Sequence, residues 1–147
     1  MPRPRAGDWL EDEVASWLRS GLEVVVSLLE DEEIAELGLE QEAELCRRGG
    51  IQFLRLPIPD RGVPASPGPV TALVRTVVAE LQAGRGVGIH CRIGVGRSAL
   101  VACCVMAALG VPVEAAWSSL HRSRGLSVPD TEAQRAWVSA WSTDFIE

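Results

Sequence analysis

The 147-residue chain contains no lysine, no asparagine and no tyrosine, so all 14 of its basic residues are arginine. The three missing types share AT-rich codons, and the expectation is a GC-rich, bacterial source. Without lysine there is no GK[ST] loop, whose lysine must reach the terminal phosphates of a nucleotide. Two histidines and four cysteines with no CxxC pair do not make a zinc site. No metal and no cofactor is expected. No apolar run is long enough to span a bilayer. Met1 to Arg5 leads into Asp8, Glu11, Asp12 and Glu13 rather than the apolar stretch of a secretion signal. A cytoplasmic location is the resulting expectation, and in that reducing setting Cys46, Cys91, Cys103 and Cys104 read as free thiols. A net charge of -6 and a pI of about 5.0 leave no basic face for nucleic acid or an anionic membrane. Neither is expected as a partner, and a monomer is expected.

The composition is that of a globular protein, with 47% hydrophobic and 23% charged residues. No repeat or low-complexity linker divides it, so residues 1–147 read as one domain. Leu10, Val14 and Trp17 recur at helical spacing behind Asp8 and Glu11, which sit at capping-box spacing. Val24 to Leu29 is a β-branched buried strand, and Ile51 to Leu56 alternates as a second. Between them lies a helical pattern that opens on the acidic run Glu30 to Glu33, suited to a helix N-terminus, and is broken at Gly38. Pro57 to Pro69 is a proline- and glycine-rich loop. Val70, Leu73, Val74, Val77, Val78 and Leu81 form one stripe of a helix capped by Ser66-Pro67. Val87 to His90 is a third strand. Arg97 to Leu109 is apolar nearly all round, a helix in the core. Further helices run from Pro112 to about Arg122 and from Pro129-Asp130 onward, with Trp137 and Trp141 on an inward stripe. The expected class is α/β: a central, mostly parallel sheet of four or five strands, flanked by helices on both faces.

The most informative segment is His90-Cys91-Arg92-Ile93-Gly94-Val95-Gly96-Arg97-Ser98, between a strand and a helix. A loop this short, bent by Gly94 and Gly96, can turn its amides inward as a nest for a tetrahedral anion, so that Arg92 to Arg97 would bind phosphate. The helix beginning near Arg97 adds its positive end. A thiol at the floor of such a nest loses its proton readily, making Cys91 a candidate thiolate nucleophile. Arg97 offers a planar fork for two phosphoryl oxygens. Ser98 can donate its hydroxyl to the sulfur as it leaves. His90, on the strand, reads as a support that orients the loop. Arg61 and Arg92 lie where they could touch a substrate.

This His-Cys-x5-Arg-Ser pattern resembles that of the cysteine-based protein tyrosine phosphatases, and the chain's size is similar to the small dual-specificity branch and its bacterial relatives. The resemblance implies a general-acid aspartate on a loop about thirty residues before the nucleophile. Asp60, in Pro57-Ile58-Pro59-Asp60-Arg61-Gly62, lies 31 residues before Cys91. It also implies a glutamine-bearing loop after the core helix, matched by Thr131 and Gln134, the latter as a supporting residue. On this resemblance, roughly Asp8 to Val138, the protein is a metal-independent phosphatase. Cys91 is the nucleophile, Arg97 and Ser98 are catalytic, and a phosphorylated protein is the substrate. Phosphotyrosine leads, with phosphoserine and phosphothreonine second. A phosphoinositide or inositol phosphate phosphatase shares the loop and is the alternative.

Ile58 replaces the family's aromatic before Pro-Asp, and Asp130 replaces the first glutamine of the later loop. Asp130 is also the competing candidate for the acid. The absence of tyrosine removes the usual wall of a deep phosphotyrosine pocket and implies a shallower cleft. A rival reading takes Gly94 to Ala99 as the GxGxxA fingerprint of a dinucleotide fold, with Glu114 as the ribose acid. Pro112 would interrupt the strand carrying that acid, and the reading gives Cys91 no purpose. A non-catalytic phosphate-binding module would be expected to lack Cys91 or Asp60, and both are present. Cys46, Cys103 and Cys104 read as inert core thiols, with Cys46 conceivable as a redox partner of Cys91.

Overall fold

The structure is a computed structural model, and it describes residues 1–146. Three parallel strands, β1 (Leu22–Ser27), β2 (Gln52–Arg55) and β3 (Gly86–His90), form a sheet in the order β2-β1-β3. Seven helices surround it: α1 (Trp9–Arg19), α2 (Asp31–Leu37), α3 (Glu42–Arg48), α4 (Pro67–Gln82), α5 (Arg97–Ala108), α6 (Val113–Arg124) and α7 (Glu132–Ile146). The three strands are those the alternation located. The expected fourth or fifth strand is not found among the described residues. After β2 the chain stays extended long enough for Leu56 N–H to bond Ser27 O and Ile58 N–H to bond Leu28 O. Pro57, Pro59, Pro64 and Pro67 then deny it the donors a ladder needs.

Helices do cover both faces. The pleat sends Val25 and Val26 of the central strand to opposite sides. Val25 joins Val14 of α1 and Cys46 of α3, whereas Val26 joins Val70 and Val74 of α4 and Leu100 and Val101 of α5. Nine of the twelve residues of α5 are buried, Arg97 and Ser98 among them. Gly38, at φ +70°, separates α2 from α3. Two caps differ from expectation: neither Asp8 nor Ser66 makes a side-chain cap bond, Asp8 because it is itself in the right-handed helical region. Trp117 and Trp141 are buried, but Trp9, which precedes the apolar stripe of α1, is exposed. No helix among the described residues is long and apolar enough to cross a membrane.

Parallel strands put all their carboxyl ends on one side, where open α/β sheets gather ligand-binding loops. That side receives the segment after β1 with Glu30 to Glu33, the segment after β2 with Asp60, and the segment after β3 with Cys91.

Candidate active site

β3 delivers Cys91 to the floor of the loop and α5 begins six residues later, so Cys91 to Gly96 must close a ring. Cys91 is 2% exposed. Its Sγ lies 3.2 Å from the Gly94 amide nitrogen and 3.4 Å from Ser98 Oγ. Once the thiol is ionised, both groups donate to it. The Ile93–Gly94 peptide is planar, so its two ends point opposite ways. Its N–H faces the sulfur, and its carbonyl accepts from Arg124 Nη2 at 3.2 Å. Gly94 has φ +80°, and a Cβ there would come within 2.5 Å of the Met1 carbonyl carbon. The Met1–Arg3 segment lies against the ring, with Arg3 N–H bonded to Arg92 O at 3.2 Å. Burial pushes the Cys91 thiol pKa up. The hydroxyl and amide of Ser98, the Gly94 amide and the charge of Arg97 outweigh it, and the net shift is downward.

Arg97 is 2% exposed, and its guanidinium is filled with partners. Nη1 and Nη2 meet the two Glu33 oxygens at 2.6 and 2.9 Å. Nη1 also donates to Ile58 O at 2.9 Å, and Nη2 to Asp60 Oδ1 at 3.1 Å. One side chain thereby ties the phosphate loop to the segments after β1 and β2. Burial works against its charge, but Glu33 more than compensates and holds the proton more firmly.

Asp60 is half exposed, at 50% of its side chain, and reaches in from its loop toward Arg97. That loop is held by Ile58, fully buried in the core, and by a turn in which Gly62 N–H bonds Pro59 O. Gln134 is buried, with every polar atom used on structure. Its Oε1 accepts from Thr131 N–H, and its Nε2 donates to Gly62 O at 3.1 Å. A Cβ on Gly96 would stand 2.9 Å from Gln134 Nε2 and 3.0 Å from Asp130 Oδ2, so both residues rest against the loop. Arg61, at φ +59°, faces Asp130 at 3.9 Å. Arg92 faces Glu33 and Glu36, each at 3.9 Å. Ile93 projects outward at 62% exposure, and Val95 is partly buried. His90 is buried, with its ring between the Cys91 carbonyl and the carboxylate of Glu42.

Cys91, Arg97, Ser98, Asp60, Arg92 and the loop residues Ile93 to Gly96 thus converge, with His90 and Gln134 at their back. Cys46 does not join them. It packs with Val25 on the other side of the sheet, and burial pushes its thiol up to about 12. Burial raises the Cys103 thiol likewise to about 12 and the Cys104 thiol further. Among the described residues no group of three His, Cys, Asp or Glu side chains could hold a metal ion.

Glu33 and Glu42 are the residues that sequence patterning missed. Glu33 does belong to a helix N-terminus: it is the third helical residue and accepts the Glu30 N–H at 3.1 Å. Its second role is 64 residues away from its own position. A signal for it did exist, since an arginine in a helix that is apolar all round requires a buried counter-charge.

A sulfur ringed by donors beneath a buried guanidinium is a cradle for a tetrahedral oxyanion, with a carboxyl group at its rim. Known structures share the frame. Kinase associated phosphatase, with its catalytic cysteine replaced by serine, superposes with a TM-score of 0.86 at 21% identity, over 99% of this chain and 85% of that one. Tk-PTP in its active form gives 0.76 at 26% identity, over 97% and 88%. PTPMT1 in complex with PI(5)P gives 0.77 at 17% identity, over 96% and 87%. No curated protein sequence matches the chain. The family model described as "Polymorphic toxin system, DSP-PTPase phosphatase" matches residues 1–110, from the first helix through the phosphate loop and all of α5. With three quarters of its length so matched and this loop at its centre, the chain belongs to the DSP-PTPase phosphatase family of polymorphic toxin systems and is an enzyme of the protein tyrosine and dual-specificity phosphatase kind.

Proposed function

We propose that the protein hydrolyses phosphomonoesters on proteins, phosphotyrosine first and phosphoserine or phosphothreonine second, through a phosphocysteine. The observation that carries this reading is the Cys91 sulfur held between the Gly94 amide and the Ser98 hydroxyl, with Arg97 linking the ring to Asp60. Phosphoryl oxygens entering the ring take the inward amides from Arg92 to Arg97 and an edge of the Arg97 guanidinium. They compete with Asp60 for Nη2 and release its carboxyl group toward the leaving oxygen. Cys91 Sγ attacks phosphorus, the P–O ester bond breaks, and Asp60 gives its proton to the departing oxygen. Water then attacks phosphorus and yields its proton to Asp60. The S–P bond breaks, and the Ser98 hydroxyl bonds the emerging thiolate. Arginine and backbone dipoles stabilise the transferring group throughout.

One feature favours a singly phosphorylated protein substrate: Arg61 and Arg92 each face carboxylates already, which leaves little uncompensated charge for a second phosphate. The missing tyrosine wall leaves room for phosphoserine and phosphothreonine beside phosphotyrosine. The second reading, a phosphoinositide or inositol phosphate phosphatase, draws support from PTPMT1, a protein of this fold whose structure holds PI(5)P. Phosphopeptides, phosphoinositides and inositol phosphates assayed side by side with a chelator present separate the two. Turnover of phosphotyrosine peptides above all lipids and inositol phosphates is expected; the reverse preference replaces the first reading with the second.

A further inference from the structure

The pair formed by His90 and Glu42 has no part in the chemistry above. Both side chains are buried, 0% and 2% exposed, and Nε2 lies 2.6 Å from Glu42 Oε2. On the opposite edge of the ring Nδ1 lies 3.1 Å from the Cys91 carbonyl oxygen. A carbonyl only accepts, so Nδ1 must carry the hydrogen. The imidazole is bonded at both edges. A half-turn of the ring would put carbons where nitrogens now bond. Trp17 of α1 stacks beside it, with ring centroids 6.3 Å apart.

Glu42 is the first residue of α3 and is buried, as is Cys46 a turn later. Leucine would fill the place without the cost of desolvating a carboxylate. A buried, hydrogen-bonded polar pair is weak evidence of a contribution to stability, so its use lies in what it holds in place. It holds the Cys91 carbonyl. On the strand side Leu28 N–H bonds His90 O at 3.0 Å, and His90 lies in register with Ser27. With the His90 ring bonded to the next carbonyl, the carbonyls on either side of the Cys91 Cα, His90 O and Cys91 O, are both held. The Cys91 carbonyl is thus held by the ring before it, while the Gly94 amide faces the sulfur.

We infer that Glu42 is a positioning residue for the nucleophile: by keeping the His90 ring oriented with Nδ1–H on the Cys91 carbonyl, it sets the path of the loop that brings the Gly94 amide and the Ser98 hydroxyl to the Cys91 sulfur. The inference rests on Cys91 as the reactive thiol. The groups facing that sulfur are the Ser98 hydroxyl and the Arg97 guanidinium from α5, the Gly94 amide within the ring, and the Met1 amino group, whose charge it senses. Changing Glu42 removes none of these groups, so a changed profile reports their placement.

The test is the pH profile of Cys91 alkylation by iodoacetamide, mapped by peptide mass, in the full chain carrying Glu42→Leu or Glu42→Gln. Glu42→Leu keeps the volume but leaves Nε2 without a partner. Its profile is expected to move toward that of an ordinary thiol, and kcat/KM to fall by up to about 100-fold, as for a small misplacement of a reacting group. Glu42→Gln can donate its amide hydrogen to Nε2 and so preserve Nδ1–H; it is expected to stay close to wild type. A folded Glu42→Leu with the wild-type profile, or a Glu42→Gln as impaired as Glu42→Leu, overturns the inference. Should Glu42→Leu fail to fold, two-bond 1H–15N correlations of the wild-type His90 ring decide alone. A hydrogen on Nδ1 is required, and an unprotonated Nδ1 overturns it. The Cys91→Ser variant separates the two ideas, because phosphatase activity that survives it rejects the nucleophile assignment and not merely the role of Glu42.

Discussion

Arg97 and Glu33 meet fork to fork beneath the mouth of the site, Nη1 2.6 Å from Oε1 and Nη2 2.9 Å from Oε2, both side chains at least nine-tenths buried. Each is the condition for burying the other. Glu33→Ala leaves the guanidinium without its counter-charge and is expected to cost about 3–5 kcal/mol of stability, as for other buried pairs broken on one side. Glu33→Gln keeps part of the hydrogen bonding and is expected to lose less. Chemical denaturation of both variants at pH 7 measures this.

The same pair sets a pH dependence. Burial alone would raise the Glu33 carboxyl; the bonds from Arg97 and the Glu30 amide, with the charges of Arg97 and Arg92, reverse this and hold it below its ordinary 4.5. The folded protein therefore binds this proton less tightly than the unfolded chain. Its contribution is fully present above pH 4.5 and is lost as pH falls through the folded value. Wild-type unfolding free energy is expected to decline on acidification below that point, and Glu33→Gln to flatten this part of the decline. Equal acid limbs in the two proteins would contradict the assignment.

At the sulfur the competing influences are burial, which opposes ionisation, and the donors, of which the Ser98 hydroxyl is foremost. Ser98→Ala removes that donor and leaves burial in place. Its alkylation profile is expected to shift toward higher pH, and phosphoenzyme breakdown to slow, since the departing thiolate loses its hydrogen bond. Rapid-quench assays resolve this step as a larger burst of leaving group before a slower steady state. Cys91→Ser is expected to abolish turnover while still binding sulfate or phosphate, measurable by calorimetry.

Two aspartates compete for the proton-transfer role, and geometry favours Asp60, which reaches Arg97, over Asp130, which rests on Gly96 and faces Arg61. Asp60→Asn is expected to lower kcat by about 10²–10⁴. The loss should be greatest for substrates with poor leaving groups, where protonation of the oxygen matters most. Asp130→Asn should leave the dependence on leaving group unchanged. Were Asp130→Asn to steepen that dependence and Asp60→Asn not, the acid would be reassigned.

The parts of this site legible in the sequence were those whose chemistry and chain spacing coincide. Cys91, Arg97 and Ser98 lie within eight residues, and their strand–loop–helix context could be read from periodicity. Asp60 came from a family resemblance in loop spacing rather than from any local pattern. Neither singles out Glu33 or Glu42, because their partners are 64 and 48 residues away and an acidic residue in a first helical turn already has a local explanation; the all-apolar helix demands a counter-charge for Arg97 but does not say which carboxylate supplies it. Loop spacing points to Gln134 but not to its task. A reciprocal bond with Thr131 is local, whereas its grip on Gly62 spans 72 residues. Periodicity locates the three strands that form, and the expected fourth or fifth has no alternating run of its own, because the prolines from Pro57 onward lack the donors of a ladder.

Gly96 offers the sharpest test of how the acid loop is tied to the phosphate loop. Its φ of -94° suits any residue, so alanine there brings no backbone strain. The added methyl would instead press on Gln134 Nε2 at 2.9 Å and the Asp130 carboxylate at 3.0 Å. Gln134 yields most readily by releasing Gly62 O, which frees the segment carrying Asp60. Gly96→Ala is therefore expected to cost about 1–3 kcal/mol, as overpacking commonly does. It should also lower kcat more for phenyl phosphate than for p-nitrophenyl phosphate, whose leaving group needs little protonation. Gly94→Ala differs in kind, because its φ of +80° and the Met1 backbone at 2.5 Å distort the ring itself. That variant should lose activity on both substrates alike. A Gly96→Ala enzyme whose two rates fall together would show that the methyl disturbs the anion nest and not the tie between the loops.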